Sequence, residues 1–159
     1  MRRVTVVASA LISALVAAGA AAGSGGTSIS SAPVIRPGVQ FSGDTSTDAT
    51  ANGSIGSEES TGCWNDVEYW RLSLTAGDQV LIKGAAVSPA HHFGIGLFPA
   101  GTTDRNIGKA IAVASAFPRR APIRFAARAS GTYALVIGPT CYNATDGPYT
   151  FVVTVRHKA

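Results

Sequence analysis

The sequence predicts an all-β domain, a two-sheet antiparallel jelly-roll-like β-sandwich preceded by a signal peptide. Three observations carry this reading. Apolar residues alternate with polar ones at period two along several short runs. Turn residues, chiefly Gly and Pro, separate these runs at intervals of about 8 to 16 residues, the punctuation of a sandwich. Helical periodicity is nearly absent.

Taken in order, Arg2 and Arg3 precede an unbroken small-and-apolar run from Val4 to Ala22. A charged start, an apolar middle around Val6 to Val16 and small residues at Ala18-Gly19-Ala20 or Ala20-Ala21-Ala22 are what export and signal cleavage require. The rival, a retained membrane anchor, is disfavoured by the Ala and Gly content of the run's second half and by the Gly23-Ser24-Gly25-Gly26 that follows it. Residues 1–22 are therefore expected to be removed and the mature protein to be secreted and extracellular, with no stable membrane insertion. The remainder is long enough for one hydrophobic core. Residues 23–33, mostly Ser, Gly and Thr with one Ile, read as a flexible linker. Residues 34–159 form the expected sandwich domain.

Strand-like material begins at Val34-Ile35 and Val39-Gln40-Phe41, and residues 42–62 read as a long polar loop with room for one short strand. Alternation then sharpens, with Trp70, Leu72 and Leu74 on one face and Tyr69, Arg71 and Ser73 on the other. Ala76-Gly77-Asp78 reverses the chain and Val80 and Ile82 continue beyond it, so the two runs are expected to form a hairpin. Further strands are marked by Phe93-Ile95-Leu97, Ile111-Val113, Ile123-Phe125, Tyr133-Leu135-Ile137 and Tyr149-Phe151-Val153-Val155. The Ala-rich stretch 107–117 is the one helix candidate, but Gly108 interrupts it and Ile111 and Val113 suit a strand. Trp70, Leu72, Phe125, Tyr133, Leu135, Phe151 and Val153 are expected to meet in a single core.

Charge gives little support to a nucleic-acid partner. Loss of Arg2 and Arg3 takes thirteen cationic residues to eleven against nine acidic ones, a net +2. The balance is uneven along the chain: acids dominate residues 23–80, while Lys83, Arg105, Lys109, Arg119, Arg120, Arg124, Arg128, Arg156 and Lys158 face only Asp104 and Asp146. A mixed-sign solvated surface is expected, and the protein is expected to be a monomer.

Cys63 and Cys141 are the only cysteines. In an exported chain, an even count without Cys-x-x-Cys spacing favours a disulfide. That bridge would close a loop of about 79 residues and contribute about 4.5 kcal/mol on the chain-entropy model.

The segment from Asn65 to Val80 resembles the opening hairpin of bacterial pre-peptidase C-terminal domains. Arg124-Phe125 through Ser130-Gly131-Thr132-Tyr133-Ala134-Leu135-Val136-Ile137 resembles their penultimate strand, and Gly147-Pro148-Tyr149-Thr150-Phe151-Val152-Val153-Thr154-Val155 their closing one. The resemblance spans roughly residues 34 to 156. It implies a jelly-roll-like sandwich that acts as an accessory module beside a secreted hydrolase, assisting folding, secretion or substrate attachment.

Catalytic machinery is not legible. There is no Gly-x-Ser-x-Gly elbow, no His-Glu-x-x-His and no phosphate-cradling glycine loop. His91 and His92 are adjacent, so on a strand they diverge and could hardly hold one metal ion. Gly94-Ile95-Gly96 lacks the rest of a dinucleotide fingerprint and sits in a strand-like run, where small residues admit a close neighbour. No cofactor is expected. Glu58, Glu59, Asn65, Asp66 and Glu68 gather hard oxygens of the kind calcium prefers, but without EF-hand spacing they are weak candidates. Trp64 and Tyr142 each follow a cysteine, so a bridge would carry both to one end of the sandwich, where they are the candidate binding patch. Arg119 and Arg120 fall in a turn, and Arg124 and Arg128 point outward as a basic edge that discourages strand-to-strand aggregation. The leading expectation is a non-catalytic module that binds an extracellular polymer, a cell-envelope component or a protein partner. The alternative is a small secreted hydrolase with a dispersed active site.

Overall fold

The computed structural model describes residues 21–22, 25–46, 67–87, 93–105, 110–116, 122–139 and 147–157. Within them the chain forms nine strands: β1 (Ala21–Ala22), β2 (Gln40–Asp44), β3 (Glu68–Leu74), β4 (Gln79–Ala86), β5 (Phe93–Phe98), β6 (Ala112–Ala116), β7 (Ile123–Ala126), β8 (Gly131–Pro139) and β9 (Pro148–Arg156). One sheet has the order β1-β2-β9-β4-β7 and the other β3-β8-β5-β6. All pairings are antiparallel except the two-residue contact of β1 with β2. The predicted all-β sandwich is the observed fold. Among the described residues no helix is long and apolar enough to cross a membrane.

The core lies where the inward faces of the two sheets meet. Trp70, Leu72 and Leu74 of β3 face Val80 and Ile82 of β4, and Tyr133, Leu135 and Ile137 of β8 face Tyr149, Phe151 and Val153 of β9. Trp70 meets Phe41 and Phe151 edge-on at ring separations of 5.4 and 5.1 Å, a geometry that sets ring edges against π faces. Every expected core residue belongs to this cluster, Phe125 as a partly buried member.

Two expectations are corrected. The reversal at Ala76-Gly77-Asp78 is an arch between sheets, not a hairpin, because β3 pairs with β8 whereas β4 pairs with β7 and β9. Gly77 adopts a φ of 94°, as a tight reversal demands. Its N–H donates to the Ala127 carbonyl at 2.7 Å and that of Ala127 donates to the Asp78 carbonyl at 2.9 Å, which ties the arch to the exit of β7. The expected contact faces are unchanged, since both strands still present their apolar sides to one core.

The second correction concerns residues 23–33. Composition suggests a linker, yet the described part of the segment is seated on the second sheet. Gly26 exchanges both backbone hydrogen bonds with Tyr69 at 2.8 and 2.9 Å, and farther along, Ile35 N–H donates to the Arg71 carbonyl at 2.7 Å and Arg71 N–H to the Pro33 carbonyl at 2.9 Å. The free edge of β3 is thereby covered. Between these bonds, Ile29 and Ala32 cross the outer face onto Val67, Tyr69, Phe98, Ala134 and Val136. That face is apolar, so the sheet supplies the burial that the segment's own composition lacks. Asp104 closes the crossing by accepting the N–H of Ile29 at 2.6 Å and of Ser30 at 3.2 Å.

Candidate functional site

Strand direction divides the molecule into two ends. At one, β2, β4, β6 and β8 finish while β3, β5, β7 and β9 begin. The connections 47–66, 88–92, 117–121 and 140–146 all leave and re-enter here. Cys63, Cys141, Trp64, Tyr142, Glu58, Glu59, Asn65, Asp66, His91, His92, Arg119 and Arg120 fall within these connections and lie outside the described residues. Their flanking strands are described. Glu68 is paired with Ile137, so the stem that follows Cys63 and the stem that precedes Cys141 are direct antiparallel neighbours.

A buried polar cluster supports this loop-bearing end. Glu68 is 0% exposed. The Tyr149 hydroxyl donates to Glu68 Oε2, the Trp70 indole N–H donates to the Tyr149 oxygen at 3.0 Å, and Asp44 N–H reaches Glu68 Oε1 at 3.4 Å. Gly43 passes directly over the pair, and a Cβ there would collide with Glu68 Oε2 and the Tyr149 hydroxyl. Glu68, a candidate cation ligand in the sequence, is a buried residue that organises the junction of β2, β3 and β9. Its alternation partner Trp70 gave no hint of this, because the sequence shows an acid at the start of a strand and not the tyrosine waiting for it across the core.

The opposite end carries the arch. Asp78 accepts the Thr75 N–H at 2.8 Å, and His157 Nδ1 lies 2.7 Å from its other oxygen. The carboxyl is held below its ordinary range first by the Thr75 N–H, against the upward push of burial, and further by His157. The His157 side chain is 77% exposed while Asp78 is 3% exposed. The pair therefore docks the tail of β9 onto the arch. Near the N-terminal crossing, burial raises Tyr69 and the charge of Asp104 adds to it. Burial pushes the Asp104 carboxyl up, but the hydrogen bonds from Ile29 and Ser30 outweigh it and hold the group low.

This end also contains a groove of about 530 Å³ between β7 and the entry to β6. Phe125 and Tyr133, in edge contact at 5.7 Å, line it together with Ile111 and Pro99, and Arg124 and Arg128 stand at its rim. Tyr133 is oriented by its hydroxyl, which donates to the Ala129 carbonyl at 2.8 Å. Arg124 and Arg128 are exposed, as their outward positions predicted. The groove itself was missed because its walls come from residues 99 to 133, which no local pattern links.

No protein-family model and no curated protein sequence matches the chain. Solved structures do. The pre-peptidase C-terminal domain of collagenase from Bacillus anthracis superposes with a TM-score of 0.51 at 15% identity, covering 77% of this chain and 93% of that one. The fold is that of a pre-peptidase C-terminal domain. PliG of Aeromonas hydrophila, a periplasmic inhibitor of g-type lysozyme, shares it with a TM-score of 0.52 at 18% identity over 78% of this chain and 94% of that one. The fold implied by the resemblance of the strand motifs is therefore matched in three dimensions.

Proposed function

We propose that the chain is an exported, non-catalytic binding or accessory module that acts through the loop-bearing end of its sandwich. The adjacency of the β3 and β8 stems carries this reading. With Glu68 opposite Ile137, Cys63 lies five residues before one stem position and Cys141 four residues after the other, a span that a disulfide can bridge. Trp64 and Tyr142 would then stand side by side as an aromatic patch for an extracellular polymer, envelope component or protein. The two structural neighbours, a lysozyme inhibitor and the pre-peptidase C-terminal domain of a collagenase, are in keeping with a role exercised by binding. Export, read from the signal-like pattern of residues 1–22, suits a fold found in a periplasmic inhibitor and a collagenase.

The test is retention of culture-medium proteins and isolated cell envelope on immobilised protein spanning residues 23–159. Saturable retention lost in Trp64→Ala with Tyr142→Ala, at unchanged thermal stability, supports the patch. Equal retention by that variant contradicts it. Hydrolysis of an ester, peptide or glycoside panel that disappears with His91→Ala or His92→Ala would establish the enzyme reading instead.

A further inference from the structure

We propose that the groove beside β7 is a second docking site, at the end opposite the aromatic patch, for an extended acidic polypeptide segment of a partner protein. The inference rests on the binding-module reading but not on the patch. Its first support is the state of the strand edges. The edge of β3 is occupied by residues 26–35 of the same chain. In contrast, β7 is the last strand of one sheet and β6 the last of the other, and among the described residues neither has a partner on its outer side. A mature chain beginning at Gly23 would also lack β1 and leave β2 open, whereas Arg124 and Arg128 line the groove beside β7. Unpaired backbone N–H and C=O groups are satisfied most fully by another extended backbone, which favours a polypeptide over a glycan.

Apolar surface supplies the second support. Ile111 and Val113 are 43% and 39% exposed on the entry to β6 and on β6 itself, in a chain whose other strands bury nearly all their large aliphatic residues. Ile111 joins Phe125 and Tyr133 in the groove, so a side chain of an added strand would meet an aromatic floor.

Charge selects among peptides. Arg124 and Arg128 flank the floor, no described acidic residue lines the groove, and among the described residues neither arginine side chain makes a hydrogen bond or ion pair, Arg124 pairing with Leu81 through its backbone alone. A guanidinium beside an apolar cleft fits a carboxylate with two parallel N–H donors. The matching segment alternates Asp or Glu with Val, Ile or Phe, so that acids meet the rim while apolar groups enter the groove.

Fluorescence anisotropy with a labelled pool of short peptides alternating Glu with Val or Phe tests this directly on the protein spanning residues 23–159. Saturable binding is expected, weakening as salt rises. It should fall about tenfold when Glu is replaced by Gln, and by a similar factor in Arg124→Ala with Arg128→Ala, since each loses charge-assisted hydrogen bonds. Peptides N-methylated at alternate positions should also bind about tenfold more weakly to the unaltered protein, because strand addition needs their N–H groups. Trp64→Ala with Tyr142→Ala should leave this binding unchanged, which separates it from the aromatic patch. Absence of saturable binding, equal binding of Gln or N-methylated peptides, or equal or tighter binding of an acidic polysaccharide such as polygalacturonate would overturn the proposal.

Discussion

Ile29 is the residue on which the seating of the N-terminal segment depends, and Ile29→Ala measures how much that seating contributes. The side chain is 6% exposed and belongs to the cluster formed with Tyr69, Phe98, Ala134 and Val136. Truncation removes three carbon groups, and at about 0.8 kcal/mol for each buried methylene the transfer loss is about 2.4 kcal/mol. A cavity near the surface collapses more readily than one in the main core, so the total is expected at about 2 to 3 kcal/mol. For a domain of this size, that lowers the melting temperature by about 6 to 12 °C. Urea unfolding followed by tryptophan fluorescence gives the value, with Ile29→Val as a milder control expected at about 0.5 to 1.5 kcal/mol. A loss below about 0.5 kcal/mol for Ile29→Ala would show the segment to be the tether that its composition suggests, since exposed substitutions cost no more than that.

Other substitutions test the remaining contacts. Leu135→Ala, at a fully buried position of β8, should destabilise by about 2 to 5 kcal/mol in the same assay. Gly43→Ala should cost about 1 to 3 kcal/mol, because its Cβ would displace the Glu68–Tyr149 pair, and an unchanged melting temperature would contradict the packing described for that junction. Asp78 has a folded-state pKa below its unfolded one, so its contribution is present above the unfolded carboxylate range, near about 4, and is lost as pH falls through the lower folded value. Asp78→Asn should therefore flatten the dependence of the urea midpoint on pH across that acid window, and a profile parallel to that of the unaltered protein would refute the assignment.

What the sequence made legible was chiefly the inward face of each strand. Period-two alternation in β3, β8 and β9 identifies the residues that meet in the core, because successive side chains of a strand must point to opposite faces. The same periodicity is blind to which sheet a strand joins, so an arch at Gly77 and a hairpin there have one signature. The burial of both faces of β5 and β8 was hidden for a related reason: the outer cover comes from a segment whose Ser, Gly and Thr content carries no apolar signal. β2 extends through Ser42, Gly43 and Asp44 into a stretch that reads as loop, held there by backbone pairing with β9. Of the candidate site residues, Arg124 and Arg128 were correctly placed on the surface, whereas the groove they flank and the docking of His157 on Asp78 join residues distant in sequence and left no local mark.

Export followed by closure of the domain is the claim on which the functional account stands, and the intact mass of protein recovered from culture medium tests both parts at once. The account predicts a chain that starts between Ala21 and Gly23, is lighter than its reduced form by two hydrogens, and gains no label from a thiol alkylator before reduction. Recovery only in the membrane fraction with Met1 or Arg2 retained, or alkylation of both Cys63 and Cys141 without reduction, would contradict it.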